Sequence, residues 1–152
     1  MVKEELYKDA VGYISSITEK ETEQVSALAN VAAILKETLP YYFWVGFYLV
    51  KDEQLVLGPF QGPVACTRIK KGNGVCGEAW DLAETVVVDD VDLFPGHIRC
   101  SSESKSEIVV PIINDDDDVV AVIDVDSAEL ASFDDTDQEY LEQIAKMLVK
   151  FF

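Results

Sequence analysis

Positive charge is scarce in this sequence. Its 152 residues hold 12 Lys and Arg against 29 Asp and Glu, a formal charge of -17. A surface of that sign repels phosphate, so nucleic acid and anionic membrane are poor partners. No apolar run approaches the roughly 20 residues of a membrane span. The opening MVKEELYKDA is charged and has no apolar signal region, so a cytoplasmic protein is expected. Cysteine is scarce too, with only Cys66, Cys76 and Cys100. An odd count without a secretory signal argues against a structural disulfide framework. Low-complexity linkers, internal repeats and domain boundaries are all missing, which favours one domain over residues 1–152. What remains is 49% hydrophobic and 27% charged, a globular balance and not a disordered one.

Apolar spacing predicts a helix over 2–17, with Leu6, Ala10, Tyr13, Ile14 and Ile17 on one face. Thr18 and Glu21 have the spacing of a capping box. A second helix carries Val25, Leu28, Ala32, Leu35 and Leu39 on its inner stripe and stops at Pro40. Residues 41–50 are aromatic and β-branched, and 55–61 return after a polar turn, as in a hairpin. A short helix from Gly74 to Leu82, a strand over 85–88 and an irregular loop over 89–99 follow. Strands over 108–113 and 119–125 flank the acidic run Asp115–Asp118, read as a solvated hairpin tip. A last helix opens at Asp134 and Asp137 and buries Tyr140, Leu141, Ile144, Met147, Leu148 and Phe151. The order implies an α+β fold: a mostly antiparallel sheet with the terminal helices packed on one face.

Several residues are candidates for chemistry. All three cysteines sit in Gly/Pro-marked turn regions, where functional side chains concentrate. Asp124 and Asp126, two apart, share one face of a strand whose earlier residues on that face are Val120 and Val122. Either that strand has reached water, or the pair floors a pocket for a cationic group, each carboxyl resisting ionisation of the other. Glu107 opens a strand and matters only if it faces the cysteine loop. Trp44 and Tyr48 share a face that walls either a core or an apolar pocket, while Phe43 and Phe47 read as core. His97, the single histidine, makes with the cysteines the spacing C-x9-C-x20-H-x2-C, a candidate zinc set that lacks a tight C-x2-C knuckle.

Five blocks occur in one order: Leu57-Gly58-Pro59-Phe60-Gln61-Gly62; Gly72-x-Gly74-Val75-Cys76-Gly77; Phe94-Pro95-Gly96-His97-Ile98-x-Cys100; Ser106-Glu107-Ile108-Val109-Val110-Pro111-Ile112; and Asp124-Val125-Asp126-Ser127. Together they closely resemble the free methionine-(R)-sulfoxide reductases, single-domain proteins of the GAF fold, from about Leu28 to the last helix. The resemblance implies that Cys100 is the catalytic cysteine, that Cys66 forms a disulfide with it, and that Cys76 is a third cysteine which assists or substitutes in recycling. It implies that Glu107, Asp124 and Asp126 bind substrate and polarise the sulfoxide, with Trp44 as an aromatic wall near the substrate methyl. Ser101-Ser102 and a longer 114–118 turn depart from the family pattern without touching these groups. No metal or organic cofactor is implied. The implied partners are free methionine sulfoxide, thioredoxin as reductant and a second copy in a homodimer. The alternative reading is a non-catalytic GAF domain that senses a small molecule.

The implied chemistry needs a thiolate and an acid. Arg99, Lys105 and His97 are the positive charges near Cys100 that would lower its pKa. Glu107 or one of the aspartates, kept protonated, would hydrogen-bond to the departing oxygen. The sulfenic acid left on Cys100 would condense with Cys66, and an external dithiol would reopen the disulfide.

Overall fold

A computed structural model of the chain describes residues 2–97 and 103–152. Cys100, the implied nucleophile, and Arg99 lie outside the described residues. Among the described residues the order is α1 (Lys3–Thr18), α2 (Gln24–Thr38), β1 (Trp44–Lys51), β2 (Gln54–Gln61), β3 (Arg68–Lys70), α3 (Gly74–Leu82), β4 (Val86–Val88), β5 (Ser106–Ile113), β6 (Val119–Ser127) and α4 (Asp135–Leu148), with 3₁₀ turns at Val91–Leu93 and Val149–Phe151. The strands form one sheet in the order β3-β2-β1-β6-β5-β4, and every described pairing is antiparallel. No described helix is long and apolar enough to cross a membrane.

Local chemistry explains the elements. Asp52 and Glu53, both at positive φ, make the two-residue turn that brings Lys51 opposite Gln54. Asn114 Oδ1 accepts from the amides of Asp116 and Asp118, so the acidic run is an exposed hairpin tip as expected. At α4 the Asp134 carboxylate accepts from the amides of Thr136 and Asp137, and Asp137 returns the bond to the Asp134 amide at 2.8 Å.

Strand alternation then gives the sheet two different faces. Val45, Phe47 and Leu49 of β1, Ile108, Val110 and Ile112 of β5, and Ala121, Ile123 and Val125 of β6 pack with α1, α2 and α4 into the larger core. The opposite face carries Trp44, Tyr48, Val109 and Val122 and is covered by α3. The expected packing of the terminal helices on one face is observed.

Three local expectations are corrected. On α1 the buried residues are Tyr7, Ala10, Ile14 and Thr18, while Tyr13 is 59% exposed. Val25 is exposed as well, and Val31 takes its place in the α2 stripe. Thr18 and Glu21 make no capping box: the Thr18 hydroxyl donates to Ile14 O at 2.7 Å, closing α1, and α2 starts after Glu23 without a side-chain cap. The three-residue strand β3 is an addition, too short to show periodicity.

Candidate active site

The site lies on the α3 side of the sheet. Register sets its residues in cross-strand rows: Trp44, Asp126 and Glu107 in one, Gly46, Asp124 and Val109 in the next, then Tyr48, Val122 and Pro111. Asp124 is only 5% exposed, so the strand has not reached water there, and the pair floors a pocket. Trp44, Tyr48, Cys76, His97, Ser104, Glu107, Asp124 and Asp126 all line one cavity of about 40 Å³.

A missing side chain makes room for the aromatic wall. A Cβ at Gly46 would lie 2.4 Å from Phe60 Cβ and 2.6 Å from the Trp44 ring. The indole fills that gap, stacked on Phe60 with centres 5.3 Å apart, and its Nε1 donates to Pro63 O at 3.0 Å. Gly46→Ala is expected to destabilise the protein by about 1–3 kcal/mol through overpacking. The check is a lower urea midpoint at unchanged slope; an unchanged midpoint would show that the indole moves aside freely.

Helix α3 closes the pocket from above. A Cβ at Gly77 would meet Lys70 O at 2.6 Å, so glycine is what lets the helix dock against the end of β3. Its first turn then presents Cys76, buried, to the carboxyls. Cys76 thus sits in the first turn of the helix expected from Gly74 to Leu82, just after the glycine-marked turn. Cys66, on the β2–β3 loop, is disulfide-bonded, whereas Cys76 is a free cysteine. With Cys66 engaged, the zinc set suggested by the cysteine spacing is not assembled. The Tyr48 hydroxyl donates to Cys66 O at 2.8 Å. Trp44 and Tyr48 therefore both pin the Cys66 loop to the sheet, a role the sequence did not disclose. Ser104, buried beside the pocket and hydrogen-bonded to Asp126, was also not foreseen.

The pocket is acidic in the sense of holding protons. Burial, then the Asp126 charge, pushes Glu107 up to about 8. Burial and the Glu107 charge push Asp124 well above the usual carboxylate range, and burial with the Asp124 charge does the same to Asp126. Within the aspartate pair the Asp124 charge resists ionisation of Asp126, as expected, whereas the charge that resists ionisation of Asp124 is that of Glu107. Burial, followed by the Asp124 charge, raises the Cys76 thiol. His97 Nε2 stands 3.6 Å from Glu107 Oε1, in ion-pair reach, yet burial lowers the imidazole while it raises the carboxyl. Both shifts favour the neutral partners, so His97 is not the positive charge considered above.

A carboxyl raised from 4.5 to about 8 favours the fold while protonated. Its contribution is full below about pH 4.5 and is lost as pH rises through 8. Glu107→Gln is expected to flatten the decline in stability between about pH 5 and about pH 8, seen as the wild-type minus variant difference in chemical denaturation. A difference independent of pH would contradict the protonated Glu107.

Relatives place this geometry. A family model for the GAF domain matches residues 26–148. GAF domain-containing protein A of Dictyostelium discoideum is 54% identical over 147 residues, 96% of this chain and 92% of that protein. Free methionine-R-sulfoxide reductase of Escherichia coli (strain K12) is 41% identical over 150 residues, covering 99% of this chain and 90% of its own. The X-ray structure of free methionine-R-sulfoxide reductase from Neisseria meningitidis, in complex with its substrate, is 52% identical and superposes with a TM-score of 0.96 over 99% of this chain and 91% of that one. The chain belongs to the free methionine-R-sulfoxide reductase family of GAF domains. The GAF fold expected from the resemblance is thus observed, and Trp44, Cys76, Glu107, Asp124 and Asp126 do converge on one cavity.

Proposed function

We propose that this chain, a single GAF domain over residues 1–152, reduces free L-methionine-(R)-sulfoxide to methionine. The observation that carries the proposal is the trio Glu107, Asp124 and Asp126, held protonated around a small cavity walled by Trp44. Such a trio can donate a hydrogen bond to a sulfoxide oxygen. It can also give up a proton and become the counter-ion of an ammonium group once one enters.

The Cys100 sulfur attacks the sulfoxide sulfur while Glu107, or one of the aspartates, donates toward the oxygen. The S–O bond of the substrate breaks, methionine leaves with two more electrons, and Cys100 is oxidised to a sulfenic acid that carries the oxygen. The Cys66 thiol then displaces that oxygen as water and forms the Cys66–Cys100 disulfide. A dithiol such as thioredoxin exchanges with this disulfide and returns both thiols. A disulfide-bonded Cys66 beside a free Cys76 supports this division of labour. The loop hydrogen bonds from Trp44 and Tyr48 hold Cys66 near the cavity, as a resolving thiol requires.

A carboxyl trio able to become the counter-ion of an ammonium group favours a free amino acid over a peptide-bound residue, whose nitrogen is an uncharged amide. Epimer-resolved turnover of free and peptide-bound methionine sulfoxide tests the reading. Consumption of the free R epimer alone is expected. Turnover of the peptide-bound form, or ligand-induced stabilisation with no turnover at all, would replace it, the latter with a sensing role.

A further inference from the structure

The pocket sets a thiol that the proposed reduction does not use, Cys76, against two of the carboxyls that it does use. One ligand atom each from Cys76, Glu107 and Asp124 lies within 4.8 Å of the other two, and all three residues are buried. They come from α3, β5 and β6, so their convergence is a product of the fold. Asp124 is 95% buried (5% exposed), lines the cavity, and its Oδ1 has no hydrogen-bond partner among the described residues. A buried acceptor left unpaired is costly and points to a missing ligand. His97 lines the same cavity, its Nε2 3.6 Å from Glu107 Oε1.

One sulfur, one imidazole nitrogen and two carboxylate oxygens are the donor types of a four-coordinate zinc site. A thiolate is not a ligand for calcium or magnesium, which take oxygen. Zinc bonds of about 2.0–2.3 Å put neighbouring ligand atoms about 3.3–3.8 Å apart, so the three clustered atoms need close by no more than about 1–1.5 Å, and His97, which lies outside that cluster but beside Glu107, swings in as the fourth ligand. We propose that Cys76, Glu107, Asp124 and His97 form a zinc site inside the pocket, and that a bound zinc ion excludes the sulfoxide substrate. The set differs from the one suggested by cysteine spacing, sharing only Cys76 and His97 with it. On binding, the thiol and the two carboxyls release their protons to solvent and the metal takes their place, with no change of oxidation state. Zinc is here an inhibitor and not a cofactor. The exclusion rests on the proposed reduction in this pocket; the metal site itself does not.

Cobalt(II) is a spectroscopic stand-in that tests the site on the full chain with Cys66 kept disulfide-bonded. One equivalent is expected to raise a thiolate-to-cobalt charge-transfer band, which zinc bleaches and which Cys76→Ser lacks. Absence of the band in the unmodified chain, or its persistence in a folded Cys76→Ser protein, would overturn the site. His97→Ala, in a loop, provides a second variant: zinc affinity is expected to fall about tenfold or more, and unchanged affinity would refute the fourth ligand. Calorimetric titration of methionine completes the test. Saturating zinc is expected to weaken methionine binding at least tenfold, and undiminished binding would overturn the exclusion. If methionine fails to bind the zinc-free chain, the reductase reading fails and the exclusion with it, while the cobalt band still decides the metal site.

Discussion

Cys100→Ser is expected to abolish turnover of free methionine-(R)-sulfoxide with dithiothreitol, by about a thousandfold or more, the scale on which enzymes lose activity with their nucleophile. The reason lies in the thiol that remains closest to the carboxyls. Cys76 is buried among Glu107, Asp124 and Asp126, and burial with those charges keeps it a thiol and not a thiolate at neutral pH. Reactivity toward sulfur electrophiles follows the thiolate, so Cys76 does not inherit the reaction. Cys66→Ser is expected to behave differently. It should release one methionine per chain and then stop with thioredoxin as the reductant, because the sulfenic acid has no resolving partner. Quantifying methionine per chain, with mass spectrometry of the oxidised cysteine, separates the two variants. Full activity in Cys100→Ser would move the nucleophile to another cysteine.

Asp137→Ala is expected to cost about 3–5 kcal/mol of stability, the scale of removing one partner from a buried ionic network. Asp137 is fully buried and accepts from Lys3 Nζ at 2.6 Å, from the hydroxyls of Tyr7 and Tyr41, and from the Asp134 amide at 2.8 Å. One carboxylate therefore ties α1 to the approach of β1 and caps α4. Alanine takes the shared acceptor from an ammonium that keeps only Ser132 O and the more distant Asp134 carboxylate, and from two hydroxyls left to bond to one another and to Tyr42, and it removes half of the capping box. For a chain of this length the melting temperature is expected to drop by about 6–20 °C. Removing the under-compensated cation as well, in Lys3→Met with Asp137→Ala, is expected to recover part of the loss. A single-variant cost below about 1 kcal/mol would mean that water or rearranged neighbours replace the carboxylate. The network lies on the helix-packed side of the sheet, so folded variant at low temperature should retain its turnover number.

That network also explains what could not be read from sequence. Helical spacing is compatible with either Tyr7 or Tyr13 facing inward. The choice of Tyr7 is made by an acceptor on α4 that is 130 positions away. No window on α1 contains that information. Thr18 and Glu21 show the converse, a local motif without the local structure: Glu21 instead accepts from the amides of Thr22 and Glu23 in the connection between helices. At the site, period-two spacing was enough to put Asp124 with Asp126 and Trp44 with Tyr48. The protonation of the carboxyls was only partly legible. The repulsion between Asp124 and Asp126 follows from spacing, but that of Glu107 does not, and burial, the largest cause of the protonation, depends on α3 closing over the sheet. The bond from Tyr48 to the Cys66 carbonyl joins a strand to a loop and has no signature in either segment.

Along β1, β5 and β6, chain neighbours serve opposite sides. Val125 supports the helices, while Asp124 and Asp126 on either side of it hold protons in the pocket. Deleting one residue from the middle of β6 would therefore do more than shorten a strand. It would turn carboxyls into the oily layer beneath the helices and carry valines out in exchange. Point substitutions can adjust durability and ligand preference separately on these strands, whereas a frame slip of one position forfeits both together.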